Sequence, residues 1–134
     1  MNYRKFENQY VIRLDRGEEI VESLKTIAEK ENIKLAYLTG IGAVGKVTAG
    51  VFDTKEKVFK GKTLEGDLEV VSIGGNINTM NGETYVHFHI SVADEQGSVF
   101  GGHLQEAVIS GTGELVLTAV SYTHLRAHET SAHL

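Results

Sequence analysis

The chain has 134 residues, enough for one hydrophobic core and too few for two. Hydrophobic residues make up 41% and charged residues 23%, which excludes wholesale disorder, and the lack of any cysteine excludes disulfides, thiolate nucleophiles and cysteine-ligated zinc. Thirteen lysines and arginines against eighteen aspartates and glutamates leave a net charge of -5, a poor balance for non-specific binding to nucleic acid or an anionic membrane. No apolar run reaches membrane-spanning length, and the polar start MNYRKFENQY is not a signal peptide, so the expectation is a soluble cytoplasmic domain.

Taken in chain order, Tyr10 to Leu14 is a short β-type run. Asp15 then offers an N-cap, with Glu18 three residues later in a capping-box pattern. From Glu18 to about Glu31, Ile20, Val21, Leu24, Ile27 and Ala28 recur on one helical face while the other face is rich in Glu and Lys; this predicts an amphipathic helix lying on a sheet. After it the pattern is all strand: 33–39, 46–53, a short 57–60, 68–78, 85–93, 99–110 and 114–119. Gly-containing turns, among them Asn81-Gly82 and Gln96-Gly97, separate most of these segments and favour hairpins. The predicted class is α+β, with one main helix on a mostly antiparallel sheet of about seven strands.

Gly40-Ile41-Gly42-Ala43-Val44-Gly45 satisfies G-x-G-x-x-G, but a dinucleotide site needs a helix to open there, and the next residues, Lys46 to Phe52, have strand character. The nucleotide reading therefore fails, and the glycines are expected at a strand bend or a subunit contact. Lys55 to Lys62 carries four lysines and one glutamate. It reads as a solvated hairpin whose lysines block sheet-to-sheet association, rather than as a phosphate patch with Phe59 stacking on a base.

Histidine carries the chemical signal. Between residues 1 and 120 there are three, His87, His89 and His103. On a strand, i and i+2 share a face, so His87 and His89 converge while Val86, Phe88 and Ile90 point to the core. A three-residue turn at Glu95-Gln96-Gly97, with Gly97 in the left-handed position, pairs Asp94 with Ser98 and by counting sets His89 opposite His103 and His87 opposite Gln105. Three imidazoles on one face suit a zinc-type divalent ion, with a fourth position left open. Gly101 and Gly102 remove bulk beside His103. The competing interpretation is three ordinary half-exposed strand histidines.

The segment VSYTHLRAHET, from Val120 onward, resembles the translation of a transposase-type sequencing adapter. Residues 121–134 are accordingly expected to be artefactual or disordered, with His124, His128 and His133 carrying no functional meaning; the alternative is a His-rich metal-binding tail. The segment holds one base, Arg126, and one acid, Glu129, so the charge argument does not depend on it.

The pieces Arg13-Leu14-Asp15-Arg16-Gly17-Glu18-Glu19, Gly40-Ile41-Gly42-Ala43-Val44, Val86-His87-Phe88-His89-Ile90 and Phe100-Gly101-Gly102-His103-Leu104 together resemble the PPC (plants-and-prokaryotes-conserved) domain in its stand-alone prokaryotic form. The resemblance implies a compact domain over residues 1–120, similar in fold to acetolactate decarboxylase, a homotrimer, and one metal ion held by His87, His89 and His103. It also implies at least one strand beyond 114–119, which would leave this domain truncated with an unpaired edge. Plant relatives carry an AT-hook for DNA binding; its Arg-Gly-Arg-Pro core has no counterpart here, since the chain has no proline.

Two functions follow from different classes. One is a trimeric metal-holding module for protein association, with DNA-bound partners at one remove and direct DNA contact opposed by the charge. The other is a zinc-dependent hydrolase or lyase, in which the metal would lower the pKa of bound water or polarise a carbonyl. That enzyme needs an acid or base within reach, for which Tyr85, on the His87 face, and Glu106 are candidates; strict alternation puts Glu106 on the wrong face unless the strand bulges.

Overall fold

The computed structural model describes residues 1–120. Six strands and one helix follow in the order β1 (Asn2–Phe6), β2 (Gln9–Asp15), α1 (Ile20–Lys30), β3 (Ala36–Asp53), β4 (Val58–Met80), β5 (Glu83–Ala93) and β6 (Val99–Ala119). All strand pairs are antiparallel, in the order β1-β2-β6-β3-β4-β5, and the first residues of β6 pair back onto β5. The last four strands thus close a ring around the core. Among the described residues, no helix is long and apolar enough to cross a membrane.

The architecture is the expected one, with six strands in place of about seven. Segments 33–39 and 46–53 fuse into the single β3, 57–60 and 68–78 into β4, and 99–110 and 114–119 into β6. What reads as a Gly-rich break between them is bulged strand, with register shifts at Gly40/Gly42 and Val44/Lys46. An extra residue kinks a strand without ending its ladder, which lets strands of 18 to 23 residues curl around one core. At Gly42 an added Cβ would stand 2.7 Å from the Thr112 carbonyl oxygen, so the glycine there serves the close approach of β6 and not a phosphate. Strand β1 has no hydrophobic alternation to announce it; Tyr3 is its one half-buried side chain, and its hydroxyl donates to Glu31 at 2.8 Å.

The helix buries Ile20, Leu24, Ile27 and Ala28 as the periodicity predicts, at roughly 1.5–3 kcal/mol for each large aliphatic side chain. Its start differs from the sequence expectation. Asp15 is the last residue of β2, and the N-cap is Glu19, whose carboxylate accepts from the Val21 and Glu22 amides at 3.0 and 2.8 Å. Glu18 does reach back to the Asp15 amide at 2.7 Å, so half of the capping box is present without the cap. Glu19 also accepts from the Ala107 amide of β6 at 2.9 Å, fixing the helix N-terminus to the sheet.

The strand segment Glu114–Ala119 lies between β2 and β3 and is not itself an edge. The adapter-like segment, residues 121–134, lies outside the described residues.

Replacing Glu19 by Ala removes the cap and leaves the Ala107 amide without its acceptor, so the variant is expected to unfold at lower denaturant concentration by about 2 kcal/mol. Glu19→Gln keeps an acceptor and should lose less than half of that. Urea titration followed by far-UV circular dichroism checks both.

Candidate metal centre

The turn between β5 and β6 sets the geometry. Gly97 has φ 81°, its amide donates to the Asp94 carbonyl at 3.0 Å, and the Asp94 amide donates to the Ser98 carbonyl at 3.0 Å. The Asp94 carboxylate accepts from the Gln96 and Ser98 amides at 3.0 and 2.9 Å. From this turn the ladder runs Ala93–Val99 up to His89–His103, the register obtained by counting. Phe88, Ile90 and Val92 are buried, so His87 and His89 stand on the outer face, and His103 joins them from β6.

The three imidazoles form a triangle, with ring centroids 5.1 Å (His87–His89), 5.2 Å (His87–His103) and 5.7 Å (His89–His103) apart. Each offers a nitrogen, and these atoms lie within 4.8 Å of one another. Nitrogens around a tetrahedral zinc-class ion stand roughly 3.4 Å apart, a gap that ring rotations close, so the donor set fits such an ion with one position open. Among the described residues this is the one cluster of its kind. His87 and His103 are half-buried and His89 is exposed. Burial, reinforced by the neighbouring His87 and His89, holds the His103 imidazole below its ordinary pKa and so favours the neutral form a metal requires.

Gly101 and Gly102 do remove bulk, but for the backbone. A Cβ on Gly101 would collide with the Ile90 carbonyl of β5, and one on Gly102, at φ 150°, with Gly50 of β3. These contacts let β6 pass between β5 and β3 with His103 paired to both His89 and Gly50.

Of the two acid or base candidates, Tyr85 lines a groove of about 610 Å³ together with His87 and His103. Glu106 does not line it. Strand β6 bulges opposite Thr48 and Ala49, which brings Glu106 to the same outer face as His103, but its carboxylate pairs with Lys46 at 3.3 Å. The bulge also ends the simple count beyond His103, and Gln105 enters the groove wall beside His87.

Phe52 and Phe59, opposite each other on the arm formed by the ends of β3 and β4, also line the groove, and the sequence pattern assigned neither to the site. Phe59 meets His103 edge-on at 5.8 Å between centroids. Its ring lies across Gly61, where an added Cβ would strike it. Lys60 at the arm's tip pairs with Asp53 at 3.0 Å and Glu56 at 3.5 Å. The Glu56 amide, Lys60 and the Lys55 amide together hold the Asp53 carboxyl below the usual carboxylate range. The basic segment is thus partly neutralised from within.

Solved structures match this fold closely. A candidate DNA-binding protein from Bacteroides thetaiotaomicron superposes with a TM-score of 0.86 at 34% identity, over 90% of this chain and 84% of that one. A plant- and prokaryote-conserved (PPC) protein from Pyrococcus horikoshii gives 0.79 at 32%, over 90% and 82%. A metal-containing protein from Archaeoglobus fulgidus gives 0.77 at 29%, over 90% and 87%. Acetolactate decarboxylase from Bacillus subtilis shares the fold alone, with a TM-score of 0.59 at 16% identity over 83% of this chain and 52% of that one. By sequence the chain is 30% identical over 110 residues to the bifunctional protein GlmU of a Synechococcus strain, covering 81% of this chain and spanning 16% of that relative's length. The family model for the Plants and Prokaryotes Conserved (PCC) domain matches residues 1–121, a stretch that contains the whole histidine hairpin, and the chain belongs to that family.

Proposed function

We propose that the chain is a cytoplasmic, self-associating metal-binding module of the PCC family. In this reading His87, His89 and His103 hold one zinc-class ion per chain, and a homotrimer presents the domain to protein partners. The observation that carries the metal assignment is the convergence of three imidazole donors, with nitrogens within 4.8 Å, on a scaffold of paired strands. The metal-containing relative from Archaeoglobus fulgidus supports it. When bound, the ion supplies Lewis-acid chemistry at its open position. The chain's own residues do the rest: the hairpin register orients the rings, and burial favours the unprotonated form of His103.

Self-association is supported by an apolar stripe on the outer face of β2, β6 and β3. Val11 pairs with Val116, which pairs in turn with Thr39, and Tyr37 and Ile41 flank Thr39 on the same face. Val11, Tyr37 and Ile41 are each about half exposed. Contact with DNA through protein partners is favoured over direct contact, because the chain carries a net charge of -5 and Lys60 is already paired.

A second reading, a zinc-dependent hydrolase or lyase, is favoured by one observation, the groove that opens beside the histidines with Tyr85 in its wall.

Three outcomes are expected. Elemental mass spectrometry of residues 1–120 purified without a tag should find about one zinc-class ion per chain, falling below a tenth of that in His89→Ala, whose exposed position makes the fold insensitive to the change. Metal-free protein should lose thermal stability on acidification. Since His103 is held neutral in the fold while the unfolded chain protonates at about pH 6.5, its contribution is absent above that pH. The loss then grows as pH falls from there to the lowered value, and His103→Gln should flatten this slope. Light scattering should give a mass near three chains, and Ile41→Glu should shift it to one.

A further inference from the structure

The groove beside the histidines is lined without a single charged side chain. Val21 of α1, Phe52 and Phe59 of the arm, Tyr85 of β5 and Leu104 of β6 form its apolar walls, and the Tyr85 hydroxyl and the Gln105 amide are the polar side-chain groups besides the imidazoles. Its volume, about 610 Å³, lies within the range of small-molecule sites. Of the three histidines, His87 and His103 line it, and imidazole ligands bring no negative charge to offset a dication, which calls for an anion beside them. The aromatic walls call for an apolar body along the rest. A phosphate would need cationic side chains that the lining lacks, whereas a carboxylate can be satisfied by the dication alone.

We propose that the groove binds a monocarboxylate with an aromatic or branched apolar body, its carboxylate turned to His87 and His103 and its body against Phe59 and Phe52. This rests on the metal assignment made above. Phe59 is the residue that selects the body: its ring lies across Gly61 and edge-on to His103, so a body bound beside the imidazoles meets it.

The test uses protein loaded with zinc, its content verified by elemental mass spectrometry, and titrated calorimetrically with benzoate, acetate and benzylamine. Benzoate should bind about tenfold or more tightly than acetate, as burial of a phenyl ring requires, and benzylamine should give no binding heat. Phe59→Ala and its cross-strand partner Phe52→Ala should each keep their zinc, and Phe59→Ala should bring benzoate to within about threefold of acetate. Equal affinities for benzoate and acetate, a preference unchanged in Phe59→Ala, or zinc-loaded protein that binds none of the three overturns the proposal and leaves the metal assignment standing. A chain that takes up no zinc overturns both.

Discussion

Asp94 closes the turn between β5 and β6 with both its backbone and its carboxylate, and the register of two strands follows from it. Side chains alternate with a period of two, so a slip of β6 by one residue would carry His103 to the core side and break the imidazole triangle. The slip is opposed at both ends of the short ladder. Gly97 supplies the left-handed residue that a three-residue loop demands, and Leu104, next to His103 on β6, would exchange its buried position for solvent. The site thus inherits its precision from the hydrophobic core, since the face opposite the histidines is the one that determines where they point.

Closure of the sheet adds a second constraint. Strand β6 meets β5 on one side and β3 on the other at the level of His103. Three backbones come close enough there that Gly101 and Gly102 cannot carry side chains without displacing a neighbouring carbonyl. From the same strand, the Ala107 amide engages the Glu19 carboxylate and so connects the sheet to the helix N-terminus. Core packing, helix capping and the imidazole triangle are therefore properties of one strand within a few residues of one another.

Much of this was legible in the chain itself. The helix face, the hairpin count and the convergence of His87, His89 and His103 follow from periodicity and one turn, because each depends on residues close in sequence. The features that were not legible depend on long-range pairing. Strand β1, Asn-Tyr-Arg-Lys-Phe, is nearly all exposed and exists because β2 offers it an edge. The helix cap moved from Asp15 to Glu19 because β2 extends through Asp15 to pair with Thr112. The bulge that brings Glu106 outward is visible only in the pairing of β6 with β3, and the Phe52–Phe59 wall only once β3 and β4 are known to run past the last residue that β6 covers. Glycine-rich and charged stretches also misled in a consistent way: inside long curled strands they mark bends, where a linear reading sees ends.

The arm that carries Phe52 and Phe59 differs from the rest of the sheet in having two strands and no third. Pairing with β6 stops at Gly50, and from Val51 to Val58 each strand has only the other for a partner. A two-stranded ribbon held by its own ladder and two surface ion pairs has less to oppose fraying than the closed ring of strands below it. One wall of the groove therefore breathes on a faster clock than the histidines beside it. For any occupant of the groove, residence time would then follow how often the arm loosens, and ordering the arm would offset part of what burial of a bulky body gains.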